Sequence, residues 1–356
     1  MQDKHALILT EVRNRVGHLT LNRVSAFNAI NLEMVRSIQQ QLEQWAADEQ
    51  VVAVVIRANG DKAFCAGGDI RELYNNAKDG NTLNDTFFSE EYALDQFIYA
   101  YPKPVIALID GLVLGGGMGL VQGADFRIVT EKARLGMPEV SIGFFPDVGG
   151  SYFLSRLPGE TGTYMGVSGN PVGAADALQL GLADWFLHAE QVFELDRCLD
   201  NMRWGSSSQE SIRSLLNTLA SKRATGAKLT TVRAAIDKHF AHASVADIIA
   251  SLEGETDSTI KQWSEELLAT LKTRSPLAMA TTLDMLRRGK DLSLADCFRM
   301  EYHLAKQWFA KGDFMEGVRA LIIDKDKNPQ WQPASLEELK QAQIDDLFAG
   351  FQTQPA

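Results

Sequence analysis

Glu139, in Met137-Pro138-Glu139, and Asp147, in Phe145-Pro146-Asp147-Val148-Gly149-Gly150, are acids set beside turn-forming residues. Ahead of them lie Ala66-Gly67-Gly68-Asp69 and Gly115-Gly116-Gly117-Met118-Gly119, each following an apolar run. Glycine admits positive φ and lets a ligand approach main-chain N–H groups closely. Two such groups converging on one point make a hole for the oxyanion of an enolate or a tetrahedral adduct. A helix opening near Gly116 would add its positive end to the same spot. A carboxylate nearby can serve as base or nucleophile. The competing reading is that these are tight turns needed for close-fitting backbone alone, and it loses ground when both turns and both acids are taken together.

Glu91 carries a separate argument. Phe87, Leu94, Ile98 and Tyr101 recur at helical spacing, and Glu91 sits four after the first and three before the second, so its carboxylate points toward an apolar side. Such burial is costly unless something hydrogen-bonds the group. The alternative is that Glu91 lies at the edge of the stripe and pairs with solvent or a lysine. Cys65 adjoins the first glycine turn, but no histidine is near it in sequence and free cysteine is commonly a buried apolar residue, so a nucleophilic thiol is not expected.

Other chemistries lack their residues. There is no Walker-type phosphate loop, no G-x-S-x-G elbow, no H-E-x-x-H and no paired cysteines at zinc spacing. His239 and His242 are close, yet a solvated helix face explains the pair as well as metal ligation does, and no metal is expected. The run at Gly115 to Gly119 misses the spacing of a dinucleotide fingerprint.

The elements that must hold these groups follow from periodicity. Leu7 to Leu9 and His18 to Leu21 predict two strands joined by a longer hairpin turn near Asn14 to Gly17. Val35, Ile38, Leu42 and Trp45 draw one stripe down a helix after Asn31. Val51 to Ile56 and Pro104 to Ile109 predict buried strands, each leading to a glycine turn that opens a helix, and Phe126 to Thr130 a third. Beyond the linker-like Gly205-Ser206-Ser207-Ser208, glycine thins out and helical periodicity dominates, including Ile260 to Leu271 and Leu294 to Phe309. The expected division is an α/β part at 1–204 and a helical region at 205–356, docked on it.

Composition sets the class. The chain has 356 residues with 45% hydrophobic and 23% charged, enough to bury a sizeable core. Its formal net charge of -11 disfavours wrapping nucleic acid, whose affinity rests on Lys and Arg. Three cysteines and no long apolar segment predict a reducing, cytoplasmic setting with no membrane span.

Ala63-Phe64-Cys65-Ala66-Gly67-Gly68-Asp69-Ile70, Gly115-Gly116-Gly117, and Leu21-Asn22-Arg23 with Asn28-Ala29-Ile30 resemble the enoyl-CoA hydratase/isomerase (crotonase) superfamily over roughly residues 7 to 190. Phe88 to Tyr92, Met137-Pro138-Glu139, Ile142 to Leu154, Met300-Glu301-Tyr302, Phe314 to Ala320 and Asp324-Lys325-Asp326 resemble its thioester hydrolase branch and extend the likeness to nearly the whole chain. The resemblance implies stacked ββα units, an acyl-CoA substrate, an oxyanion hole from the amides of Gly68 and Gly116, and contact with CoA along Ala26-Phe27-Asn28. It implies no metal or redox cofactor, CoA being part of the substrate. It also implies catalytic roles for Glu139 and Asp147, with Glu91 binding the 3-hydroxyl of a short 3-hydroxyacyl group alongside Gly116, Glu139 and Asp147.

One departure bears on the reaction. Hydratases of the superfamily carry a first glutamate just after the glycine triplet, and here that position is Gly119, which cannot hold or deprotonate a water. The resemblance to the thioester hydrolase branch then implies hydrolysis of a short 3-hydroxyacyl-CoA, a step that the likeness places in valine breakdown. A hydratase or isomerase working with Glu139 alone and a non-catalytic CoA binder are the alternatives. If Glu139 lies in a closed apolar pocket, its pKa should be raised, and Asp147 should raise it further. Trimers are common in the superfamily, so a homo-oligomer is admissible.

Overall fold

The computed structural model describes residues 6–221 and 224–353. By contacts the chain divides into two compact units that each draw on several segments: one holds the chain up to Gly68 with Ala93–Leu135 and Val172–Ala227, the other Asp69–Tyr92, Gly136–Pro171 and the chain from Lys228 on.

The first unit is built on two sheets. The larger has the order β1 (Ile8–Arg13), β2 (Val16–Leu21), β3 (Ala53–Ala58), β5 (Val105–Ile109), β7 (Phe126–Val129) and β10 (Trp185–Phe186). The smaller has the order β4 (Ala63–Cys65), β6 (Leu112–Leu114), β8 (Arg134–Gly136) and β9 (Val172–Gly173), with Gly136 the first residue past this unit. β1 and β2 are antiparallel, and β2, β3, β5, β7 and β10 run parallel. The expected hairpin is present, but its turn is tighter than the sequence suggested. Arg13 pairs with Val16, and Asn14 and Arg15 at φ 41° and 68° make a two-residue connection. Two left-handed residues give a turn whose twist matches that of the strands it joins.

Residues two apart on neighbouring strands form one face. Ala53 and Val55, Ile106 and Leu108, and Phe126 and Ile128 pack with Leu195, Leu199, Ile212 and Leu216. The last four come from helices Val192–Asn201 and Ser208–Leu219. The Gly205-to-Ser208 stretch joins these two helices of one unit, and the Ser207 side chain caps the second by accepting from Glu210 N–H. Helix Leu32–Ala47 starts where Asn31 accepts from Met34 N–H and buries Val35, Ile38, Leu42 and Trp45, the stripe the sequence marked. A Cβ on Gly17 would lie 2.7 Å from the Trp45 ring, so this strand can seat the indole only through a glycine.

The second unit is mainly helical, as the C-terminal periodicity predicts. Its helices include Ile70–Lys78, Thr161–Ser168, Leu229–His239, Val245–Glu253, Lys261–Leu271, Pro276–Gly289, Leu294–Lys311 and Gln341–Phe348. Ser275 accepts from Ala278 N–H with Pro276 just inside the helix, the pairing that favours a helix start. Phe144, Phe145, Trp308 and Phe314 form an aromatic knot, tied by Trp308 Nε1–H donating to Gly143 O at 2.7 Å. No helix among the described residues is long and apolar enough to cross a membrane.

Candidate active site

In the first unit the two glycine turns meet. β4 ends at Cys65, and the chain turns through Gly67 at φ 102° before Asp69 caps helix Ile70–Lys78. β6 ends at Leu114, and Gly115 at φ 48° opens helix Gly116–Gln122. The strand β6 between Ile109 and this turn is not apparent in the sequence, where Asp110-Gly111 looks like the turn itself. β4 and β6 lie side by side, so the turns that follow are brought together. A Cβ on Gly67 would stand 3.6 Å from Gly116 N and 3.2 Å from Leu114 O, and one on Gly117 would strike the Cβ and carbonyl of Cys65. Gly116 is the first helical residue, a position whose N–H has no intrahelical acceptor.

The segment Ala26-Phe27-Asn28 is fastened to the first turn. Phe27 O accepts from Ala66 N–H at 3.0 Å, and Gly67 O accepts from Ile30 N–H at 2.8 Å. Asn28 is buried and donates through Nδ2 to Asn59 O and Ala63 O while its Oδ1 accepts from Arg23 N–H. Phe27 is left half exposed at φ 52°, and Ala26 ends a short 3-10 turn. Cys65 is buried within the turn.

Gly119 has a structural counterpart in the same unit. A Cβ there would collide with the carboxyl of Asp95, which is fully buried on helix Leu83–Tyr99. A side chain at the position that sequence marks as lacking a carboxylate would have to displace the Asp95 carboxyl.

The second unit gathers the acids. Glu91 and Tyr92 come from the first part of helix Leu83–Tyr99, Glu139 opens the 3-10 turn Glu139–Ile142, and Asp147 follows the aromatic pair Phe144-Phe145. Glu91, Glu139 and Asp147 are 2%, 7% and 6% exposed, so the expected burial of Glu91 holds and the edge alternative is excluded. Glu91 Oε1 and Glu139 Oε2 have no hydrogen-bond partner among the described residues, an expensive state unless something else satisfies them. Tyr92 donates its hydroxyl to Asp147 Oδ2 at 2.6 Å. The sequence does not single that tyrosine out, because its partner lies 55 positions further along the chain.

Burial dominates the electrostatics. It drives the Glu91 carboxyl well above its usual range, and the charges of Asp147 and Glu139 push it further. Glu139 is raised well above its usual range by burial and then by Asp147. Asp147 is raised by burial to about 7 against the opposing hydrogen bond from Tyr92. Acids with such proton affinities can both take up and deliver protons near neutral pH. No group of three or more potential metal-ligating side chains occurs among the described residues.

The profile of the family described as enoyl-CoA hydratase/isomerase matches residues 16–348. The chain is 38% identical over 346 residues to the mitochondrial 3-hydroxyisobutyryl-CoA hydrolase of Danio rerio, covering 96% of this chain and 89% of that one. It is 40% identical to the Xenopus laevis protein of the same name, covering 93% and 86%. The crystal structure of a carnitinyl-CoA dehydratase from Mycobacterium thermoresistibile superposes with a TM-score of 0.89 at 35% identity over 97% of each chain. With the fold, the paired glycine turns and matches of this extent, the chain belongs to the enoyl-CoA hydratase/isomerase family.

Proposed function

We propose that this protein hydrolyses the thioester of a short 3-hydroxyacyl-CoA, 3-hydroxyisobutyryl-CoA in the first instance, to the free acid and CoA. The observation that carries the reading is the buried trio Glu91, Glu139 and Asp147, with raised proton affinity, in a chain that has glycine at 119. The relatives named above as hydrolases support the same substrate class.

In this reading the thioester oxygen is held by Gly68 N–H and Gly116 N–H, worth about 10² to 10³ in rate per donor in comparable holes. Ionised Glu139 attacks the carbonyl carbon or draws the proton from a water that does so. Asp147, titrating near neutrality, gives a proton to the departing CoA sulfur, and water supplies the remaining oxygen and proton of the acid product. The unpartnered Glu91 Oε1 accepts the substrate 3-hydroxyl, and the Ala26-to-Asn28 backbone meets the CoA moiety. The reaction is neither an oxidation nor a reduction, and the amides supply the electrophilic assistance, so no metal or redox cofactor is called for.

A hydration reading, suggested by the dehydratase named above, needs a second carboxylate at position 119, where Asp95 fills the space. The test offers 3-hydroxyisobutyryl-CoA and crotonyl-CoA separately. Release of free thiol from the first with no loss of the conjugated double bond in the second is expected. Loss of the double bond without thiol release overturns the proposal, and binding of both without turnover makes the chain a CoA-binding protein.

A further inference from the structure

A fourth buried carboxyl, Glu301, lies on helix Leu294–Lys311 in the unit that holds Asp147. It is fully buried and close enough to Asp147 for the two charges to interact. Its partners all belong to the turn that follows Asp147. Gly149 N–H donates to Glu301 Oε2 at 2.7 Å, and Ser151 N–H and Ser151 Oγ–H donate to Oε1 at 2.8 and 2.5 Å.

That turn is unusual in its backbone. Val148 stands at φ 51° and Gly149 at φ 84°, two left-handed residues in succession, and the first is β-branched, a type that rarely tolerates this conformation. Strained residues persist where their surroundings over-determine them. Here the surroundings are Glu301 and Phe298, one helical turn apart on the same face: a Cβ on Gly149 would stand 3.1 Å from the Phe298 ring. Main-chain N–H groups after a left-handed turn form a concavity that suits an anion, and the Glu301 carboxyl occupies it. The result is an Asp147 whose carboxyl meets the Tyr92 hydroxyl, with Tyr92 in turn lying 5.9 Å from the Phe298 ring centre.

We propose that Glu301 is a positioning residue of the hydrolase: by gripping Gly149 and Ser151 it fixes the left-handed turn at Val148 and so the placement of Asp147 against Tyr92. The inference rests on the reading that Asp147 takes part in hydrolysis. Glu301 touches no reacting atom and acts only through the turn. A displacement of about 1 Å in a reacting group can lower a rate by about 100-fold, which sets the scale of the effect.

The test is a double-mutant cycle in the intact protein with 3-hydroxyisobutyryl-CoA, pairing Glu301→Gln with Asp147→Asn. Glu301→Gln turns an amide NH2 toward one of the two main-chain donors, so kcat should fall roughly 10- to 100-fold while KM changes by less than about three-fold. Ser151→Ala removes one of three hydrogen bonds and should cost about 3- to 10-fold in kcat. The double variant should be no slower than Asp147→Asn alone, because a group acting through Asp147 has nothing left to place. Multiplicative losses in the double variant, or a kcat for Glu301→Gln equal to the parent's, overturn the proposal. If Glu301→Gln does not fold, Ser151→Ala carries the same cycle, with melting temperature recorded beside the rate. Parent-like turnover in Asp147→Asn would sink the underlying reading instead, so the two failures are told apart.

Discussion

A carboxyl that titrates near pH 7 changes charge within the range of an ordinary assay, and Asp147 is held there by burial. Glu139 has to be ionised to attack or to deprotonate water, and its proton affinity is raised, so kcat/KM should fall as pH is lowered through a midpoint above the usual carboxylate range. Asp147→Asn removes the charge that raises Glu139, and the residual activity should show its acid limb at lower pH. A rate flat from about pH 4 to 8 in the parent contradicts this assignment. Gly119→Glu is a second check at this scale. The new side chain meets the Asp95 carboxyl, so the variant should lose several kcal/mol of stability and gain no crotonyl-CoA hydration; unaltered melting with new hydratase activity would refute the steric argument. Glu91, Glu139 and Asp147 were legible in the sequence, because an acid in a helical apolar stripe or beside a Pro or Gly turn stands out locally. Tyr92 and Glu301 were not, because their roles come from contacts with Asp147 and Ser151 far along the chain.

Among the elements, the two glycine turns depend on β4 and β6 lying side by side, and both strands are very short. Periodicity cannot mark a three-residue strand, so β6 is not visible in the sequence, and the hairpin turn looks longer than it is because Asn14 favours a left-handed backbone but Arg15 does not announce one. The long stripes, Val35 to Trp45 and Leu294 onward, were legible because several turns of helix repeat the same signal. Gly67→Ala tests the meeting of the turns. Its φ of 102° resists a side chain, and the new methyl would press on Leu114 O and approach Gly116 N. A kcat loss of about 10- to 100-fold is expected, with circular dichroism unchanged. Parent-like kcat would mean that the amides need no such registration.

For the whole molecule, two sets of buried groups pull stability in opposite directions as pH changes, and the carboxyls, being more numerous than the one histidine, make it decline from acidic toward alkaline pH. Glu91, Glu139 and Asp147 have raised pKa values in the folded chain, Asp147 near 7, so the folded state keeps protons that the unfolded chain gives up, and stability declines as pH rises from about 4.3 through 7. His18 on β2 is lowered from 6.5 to about 4 by burial and then by Arg57 and Arg13, and neither ring nitrogen has a partner among the described residues. The unfolded chain takes up that proton first, so stability drops as pH falls from 6.5 toward 4, by about 3 kcal/mol in full. Glu91→Gln should raise the melting temperature at pH 8 and leave it unchanged at pH 4, and His18→Phe should flatten the acid side; melting curves that keep the parent's pH dependence in both variants would refute this. Net charge disfavours nucleic acid as a partner at the level of sequence, but no sequence feature shows that the chain's units are assembled from interleaved segments. The reaction itself is tested most directly by steady-state thiol release from 3-hydroxyisobutyryl-CoA with Glu139→Gln beside the parent. Hydrolysis through the Glu139 carboxylate predicts a kcat lower by about 10² to 10⁴ with KM nearly unchanged. A Glu139→Gln enzyme turning over at the parent's rate would contradict it.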